Sequence, residues 1–290
     1  MKISVSSYSF YQYIKAGKMD QLGTVKAAHD LGFEAIEFIT LTPPEGVSKL
    51  QYAKMLAAEA EKYGMTINAY AVGANLYTTT AEEQKKLINT LLEEVDVAEA
   101  LGAKVMRHDV CFSYAPASGG RSFDMMLPVM AANARAVTEY AATKGIVTCS
   151  ENHGFIAQDS DRVERFVNAV HHPNYGVLLD VGNFACVDED SCSATSRLAP
   201  LAVHAHAKDF YKRSFAEGAA EGYFQTRGCN YLCGAPIGEG VIPVKQCLAI
   251  LKRAGYNGYL SLEFEGKEDA TEGIKKGLAA LKSYFAELGL

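Results

Sequence analysis

The sequence predicts an α/β fold, a single-domain (β/α)₈ TIM barrel over residues 1–290, and three observations carry that prediction. Amphipathic helical runs repeatedly end in a glycine, after which a β-rich segment begins, at Gly32, Gly64, Gly102, Gly145 and Gly255. A glycine just past a helix supplies the left-handed cap that a residue with a Cβ resists. The units so marked recur every roughly 40 residues, so eight of them fit the chain. Finally, the last four β segments each run into an acid or an imidazole, the place where barrel enzymes keep their chemistry.

In chain order, strands are expected at 3–7, 35–38, 66–70, 104–107, 147–150, 177–179, 202–205 and 259–262. Helices are expected near 20–31, 49–63, 81–101, 124–144, 159–171, 192–199, 243–254 and 270–288. The third helix opens on Thr80 and Glu83, read as a capping box, and Leu87, Leu91, Val95 and Ala98 trace its apolar face. Pro128 is awkward for a helix beginning at Ser122, which predicts a start a few residues later. Strict β/α alternation demands a parallel sheet. An open doubly wound sheet would advertise a glycine-rich loop after its first strand, where this chain has Tyr8-Ser9-Phe10-Tyr11. After the seventh strand a long loop of about 211–237 carries Phe215, Tyr223, Phe224, Arg227 and Tyr231, a mix suited to a lid, a subunit contact or stacking on a sugar.

Composition narrows the function. A net charge of -6 argues against a nucleic-acid partner, whose phosphates need a basic surface. No apolar run is long enough to span a membrane, and Met1–Phe10 reads as a strand and not as a signal peptide. The seven cysteines are scattered without a CxxC pair, which fits reduced thiols in a cytoplasmic protein better than a zinc knuckle.

The four strand ends are Thr148-Cys149-Ser150-Glu151, Leu178-Leu179-Asp180, His204-Ala205-His206 and Ser261-Leu262-Glu263. Any one of these acids alone could cap the next helix. Three carboxylates converging on one point repel each other, and a divalent cation resolves the conflict. Three oxygen donors and one imidazole suit Mn²⁺ first, with Mg²⁺, Co²⁺ or Zn²⁺ as other choices. Such a quartet leaves coordination positions for two adjacent oxygens of a sugar or polyol, the expected small-molecule substrate.

The segments Glu151-Asn152-His153-Gly154, Asp180-Val181-Gly182-Asn183-Phe184, His206-Ala207-Lys208-Asp209 and Gly258-Tyr259-Leu260-Ser261-Leu262-Glu263 resemble the xylose-isomerase-like barrel superfamily. Within it the chain is most similar to the sugar phosphate isomerase/epimerase family. Ser4–Phe10, Gly32–Glu37 and Gly238-Glu239-Gly240-Val241-Ile242-Pro243 add to the likeness, which runs the whole chain. The resemblance implies that Glu151, Asp180, His206 and Glu263 hold the metal. It also implies that Glu151 and Glu263 are catalytic, exchanging protons with opposite faces of the substrate in an isomerase or epimerase. The same site suits a lyase or dehydratase acting on an inosose or keto-glycoside, and a non-catalytic sugar-binding or partner subunit is the alternative outside enzymes.

Two departures bear on the substrate. Asn183 stands where similar ketose 3-epimerases carry a histidine, and the stretch after His206 lacks the Asp-x-His pair of the apurinic endonuclease branch. His153, Asn183, Lys208, Arg107, His108, Arg227 and Glu239 are the candidate substrate-binding residues. Asp209 is a candidate for orienting a ligand. His204 is expected one layer deeper as a satisfied interior residue, and Glu263 is preferred to Glu265 as the ligand. The barrel rim also allows a homo-oligomer.

Overall fold

The computed structural model describes residues 1–290. Eight parallel strands close into a barrel, β1 (Lys2–Ser6), β2 (Ala35–Ile39), β3 (Thr66–Val72), β4 (Val105–His108), β5 (Val147–Glu151), β6 (Tyr175–Asp180), β7 (Ala202–Ala207) and β11 (Tyr259–Leu262), with β11 pairing back onto β1. The outer ring is α2 (Gln21–Asp30), α3 (Lys49–Lys62), α4 (Ala81–Leu101), α5 (Phe123–Thr143), α6 (Ser160–Val170), α7 (Ser191–Leu198), α8 (Val244–Arg253) and α9 (Ala270–Leu288), preceded by a short α1 (Tyr11–Lys15). Every one of the five punctuating glycines has positive φ, between 67° and 88°.

Two local expectations are corrected. Helix α5 begins at Phe123, with the Ser122 side chain accepting from the Met125 N–H, so Pro128 sits inside it. A proline at the sixth position forfeits a single backbone bond in the second turn, which the buried face of α5 outweighs. At α4 the Thr80 hydroxyl does accept from Glu83 N at 3.1 Å, but the Glu83 carboxylate returns to Thr79 N and not to Thr80. The reciprocal box occurs instead at Ser48 and Gln51. The apolar face of α4 is as read, with Leu91, Val95 and Ala98 buried.

Between β7 and α8 the chain builds a small antiparallel sheet from β8 (Asp209–Arg213), β9 (Phe224–Gln225) and β10 (Tyr231–Ala235). The predicted long loop is therefore an ordered flap. No helix is long and apolar enough to cross a membrane.

Strand alternation fixes what points into the barrel. Register pairs Ala71 with Arg107, Arg107 with Cys149, Asp180 with His206, and His206 with Ser261, so these residues share the interior face. The small side chains of Ser4, Ala69 and Ser261 leave the barrel centre open to longer polar neighbours, and Ser4 and Ser261 bond each other at 2.9 Å.

Candidate active site

The mouth of the barrel holds a cavity of about 250 Å³, whose lining includes Tyr8, Arg107, Glu151, His153, His206, Lys208, Glu263 and Glu265. Ligand atoms of Glu151, Asp180, His206 and Glu263 lie within 4.8 Å of one another, and all four residues are buried. His206 Nδ1 stands 3.9 Å from Glu151 Oε1, 3.7 Å from Asp180 Oδ2 and 3.7 Å from Glu263 Oε2. Those separations suit donors arranged around a single ion, each about 2.0–2.3 Å from it.

Two orphaned atoms test whether a cation fits. His206 Nδ1 and Asp180 Oδ2 are fully buried and have no hydrogen-bond partner. Buried polar atoms are rarely left unpaired, because each costs about 1–3 kcal/mol. Both atoms lie beside the other donors of the quartet, Asp180 Oδ2 having only the Lys208 ammonium near it at 3.4 Å, and one divalent ion there would satisfy both. The residues present fit the group.

The imidazole is aimed by a residue the sequence reading missed. Glu37 of β2 receives His206 Nε2 at 2.9 and 3.0 Å, one contact to each carboxylate oxygen. That bond keeps a proton on Nε2, so Nδ1 is the nitrogen that would bind a metal, in exchange for any proton it carries. His204 Nε2 also reaches Glu37 Oε2 at 2.6 Å, and Ser261 Oγ donates to the same oxygen at 3.0 Å. His204 is thus the satisfied interior residue expected. Burial would raise the Glu37 pKa, but His206 and His204 overcome it and hold the carboxyl well below its usual range. For His206 burial works downward, and the charges of Glu37 and Glu263 overcome it, keeping the metal-free imidazole protonated well above its usual pKa.

Two cations balance the acids. Arg107 Nη2 lies 2.5 Å from Glu151 Oε2 and 2.8 Å from Asp109 Oδ1. Lys208 Nζ lies 2.5 Å from Glu263 Oε2 and 3.4 Å from Asp180 Oδ2. Burial would raise the Glu263 pKa, yet Lys208 and His206 pull it well below the carboxylate range. Asn183 Nδ2 donates to Glu151 Oε1 at 2.8 Å, while Lys208 Nζ donates to Asn183 Oδ1 at 3.3 Å. Asn183 therefore touches the quartet and holds Glu151 in place. His153 is half exposed on the cavity wall, its Nδ1–H donating to Asp109 Oδ1 at 2.8 Å.

Three candidate substrate residues lie elsewhere. His108 follows the inward Arg107 and so points outward, buried with its ring 5.7 Å from that of Tyr175 and its Nδ1 on the Asp109 carbonyl at 2.9 Å. Arg227 pins the flap to the loop before α6 through Asp159 Oδ2 at 2.8 Å and the Phe155 carbonyl. Glu239 pairs with Lys276 at 2.9 Å and Tyr211 at 3.1 Å on the outer surface. Asp209 does not orient a metal ligand either. It turns away to accept the backbone N–H groups of Phe210, Gly238, Gly240 and Ile242 at 2.8–3.0 Å, which fastens the loop entering α8.

The model of the xylose isomerase-like TIM barrel family matches residues 25–284. The chain belongs to that family. An inosose dehydratase of Yersinia enterocolitica serotype O:8 / biotype 1B is 28% identical over 144 residues, a match covering 44% of each chain, so it spans less than half of that curated relative. Among solved structures, the IOLI protein with a bound zinc atom is similar at a TM-score of 0.78 and 14% identity, covering 99% of both chains. L-ribulose 3-epimerase is similar at 0.71 and 17%, covering 99% of this chain and 95% of that one. These two likenesses show the shared fold. The new chain of this xylose isomerase-like family thus brings together Glu151, Asp180, His206 and Glu263, with Asn183, Lys208, Arg107 and His153 around them. Glu37 and Asp109 complete the set. An acid in the apolar run Ala35-Ile36-Glu37-Phe38 was the available signal for Glu37, since strand residues of that kind must find a buried partner.

Proposed function

We propose that this protein is a divalent-metal enzyme, with Mn²⁺ as the preferred ion, that isomerises or epimerises a sugar or polyol by moving a proton beside a carbonyl. The observation that carries the reading is a pair of glutamates, Glu151 and Glu263, that both border one cavity and both belong to the four-residue donor cluster. A bound divalent cation would polarise the substrate carbonyl and acidify the neighbouring C–H.

The chain's own residues do the rest. Glu151 and Glu263 rise from β5 and β11, strands separated around the barrel by β6 and β7, and so approach a substrate from different sides. One glutamate accepts the proton as the carboxylate, and the other, entering as the carboxylic acid, returns one from its own side. Return to the same carbon inverts it, and return to the old carbonyl carbon, with the neighbouring hydroxyl proton passing to the carbonyl oxygen, relocates the carbonyl. Arg107 and Asn183 fix the Glu151 carboxylate, Lys208 fixes that of Glu263, and His153 offers a donor or acceptor to a substrate hydroxyl. Asp180 and His206 serve as anchors for the cation.

A dehydratase is the second reading, favoured by the 28% identity to an inosose dehydratase. It starts with the same proton removal, and then a hydroxyl leaves from the next carbon as water. The test is proton NMR of the Mn²⁺-loaded protein in D₂O with ketoses, inososes and 3-keto-glycosides. Deuterium entering beside the carbonyl while a new isomer accumulates is the expected result. An enone with loss of water selects the dehydratase. A fully metal-loaded protein that exchanges no proton in any of these compounds counts against both and leaves a binding subunit.

A further inference from the structure

A second, smaller cavity of about 80 Å³ adjoins the metal-side cavity and shares two of its walls, Tyr8 and Glu265. Its other walls include Tyr11, Gln12 and Phe264. The rings of Tyr8 and Tyr11 stack at 5.5 Å with an interplanar angle of 22°. Tyr8 lines the active cavity, and Tyr11 is 45% exposed, so the aromatic pair leads from the site outward. Gln12 is held rigid, its Nε2 donating to the Gly266 carbonyl at 2.7 Å and the Glu268 carbonyl at 2.8 Å, which leaves Oε1 as an acceptor. Glu265 is outside the donor quartet and bridges the two cavities as a hydrogen-bond acceptor.

Charge decides what this annex can take. Glu265 is the one charged residue lining it. In the main cavity, Arg107 is committed to Glu151 and Asp109, and Lys208 to Glu263. A phosphate would meet a carboxylate and no unpaired cation. A neutral ring rich in hydroxyls meets aromatic faces for its C–H surfaces and carboxylate and amide oxygens for its O–H groups.

We infer that the annex is a subsite for a second, uncharged sugar ring, so that the substrate is an unphosphorylated glycoside. The ring bearing the carbonyl occupies the metal side, and its partner ring, too large for the annex itself, covers its mouth against the exposed Tyr11 with a hydroxyl reaching in to Glu265. This deepens the reaction reading above and rests on it.

The test uses calorimetric titration of Mn²⁺-loaded wild type and Tyr11→Ala with paired probes, fructose against lactulose and glucose against cellobiose, and with fructose 6-phosphate. In wild type at least one disaccharide should bind about five- to ten-fold tighter than its monosaccharide, the increment expected of one aromatic contact. Tyr11→Ala should remove that gain while leaving monosaccharide affinity and metal content unchanged, and the phosphate should bring no gain. Equal affinities within both pairs, a gain that survives Tyr11→Ala, or a preference for the phosphate would overturn the subsite. A protein that holds no Mn²⁺ removes both this inference and the reaction reading, whereas one that holds it and shows no gain removes this inference alone.

Discussion

The two sides of the barrel mouth divide the work unequally. Strands β5, β6, β7 and β11 supply the four donors, each at or beside its carboxyl end. Strands β2 and β4 supply Glu37 and Arg107, which touch the donors without joining them: Glu37 aims His206, and Arg107 neutralises Glu151. The first group makes a site that can hold an ion. The second decides which atoms face it and how the buried charge is compensated when it is metal-free. Loss of a donor and loss of a supporting residue should therefore have effects of different size.

The largest expected effect is on the donor side. Asp180→Asn should weaken Mn²⁺ binding by more than the roughly 10–100-fold that loss of a supporting partner costs, as read by dialysis with elemental analysis. Next comes the support side, where Glu37→Gln should cost about 10–100-fold in metal affinity and leave the fold intact by circular dichroism. If the two variants lost affinity equally, the division between the two sides would collapse.

The outward face of the same strands gives a smaller effect. Burial pushes the His108 pKa down to about 4. An unfolded chain therefore binds a proton there that the folded chain does not, and stability contributed by the neutral ring is present above pH 6.5 and is lost as pH falls toward 4. Between pH 7 and pH 5 this one group should cost about 2 kcal/mol, so His108→Gln should flatten the acid side of a urea-unfolding profile by that amount. An unchanged slope would mean that His108 is accessible to protons in the folded state. Smallest is the flap: Arg227→Ala removes a partly exposed pairing with Asp159 and should cost about 1 kcal/mol or less, with metal affinity unaltered. Any change in metal binding would tie the flap to the site.

The same division explains what was legible in the sequence. The barrel could be read because its helices announce their ends with glycine and its strands their ends with acids, both local signals. The donors could be read because each occupies a strand end in its own unit. Glu37 could not be paired with His206, because the two are 169 positions apart and meet only when the barrel closes. His108 and Arg227 were misplaced for related reasons. Being next to an inward residue puts a side chain outward, and a long loop can fold into a sheet that uses its own arginine as a fastener. Asp209 sits in the family's pattern, but its acceptors were claimed by four backbone N–H groups, that of Phe210 beside it and those of Gly238, Gly240 and Ile242 beyond the flap.

The measurement that bears most directly on the account is anomalous diffraction at the manganese edge from crystals soaked in Mn²⁺. The account predicts one strong peak per chain, about 2.0–2.3 Å from carboxylate oxygens of Glu151, Asp180 and Glu263 and from Nδ1 of His206, with Nε2 still on Glu37. No peak at the barrel mouth, or a peak between Glu37 and His204 with His206 bound through Nε2, would contradict it.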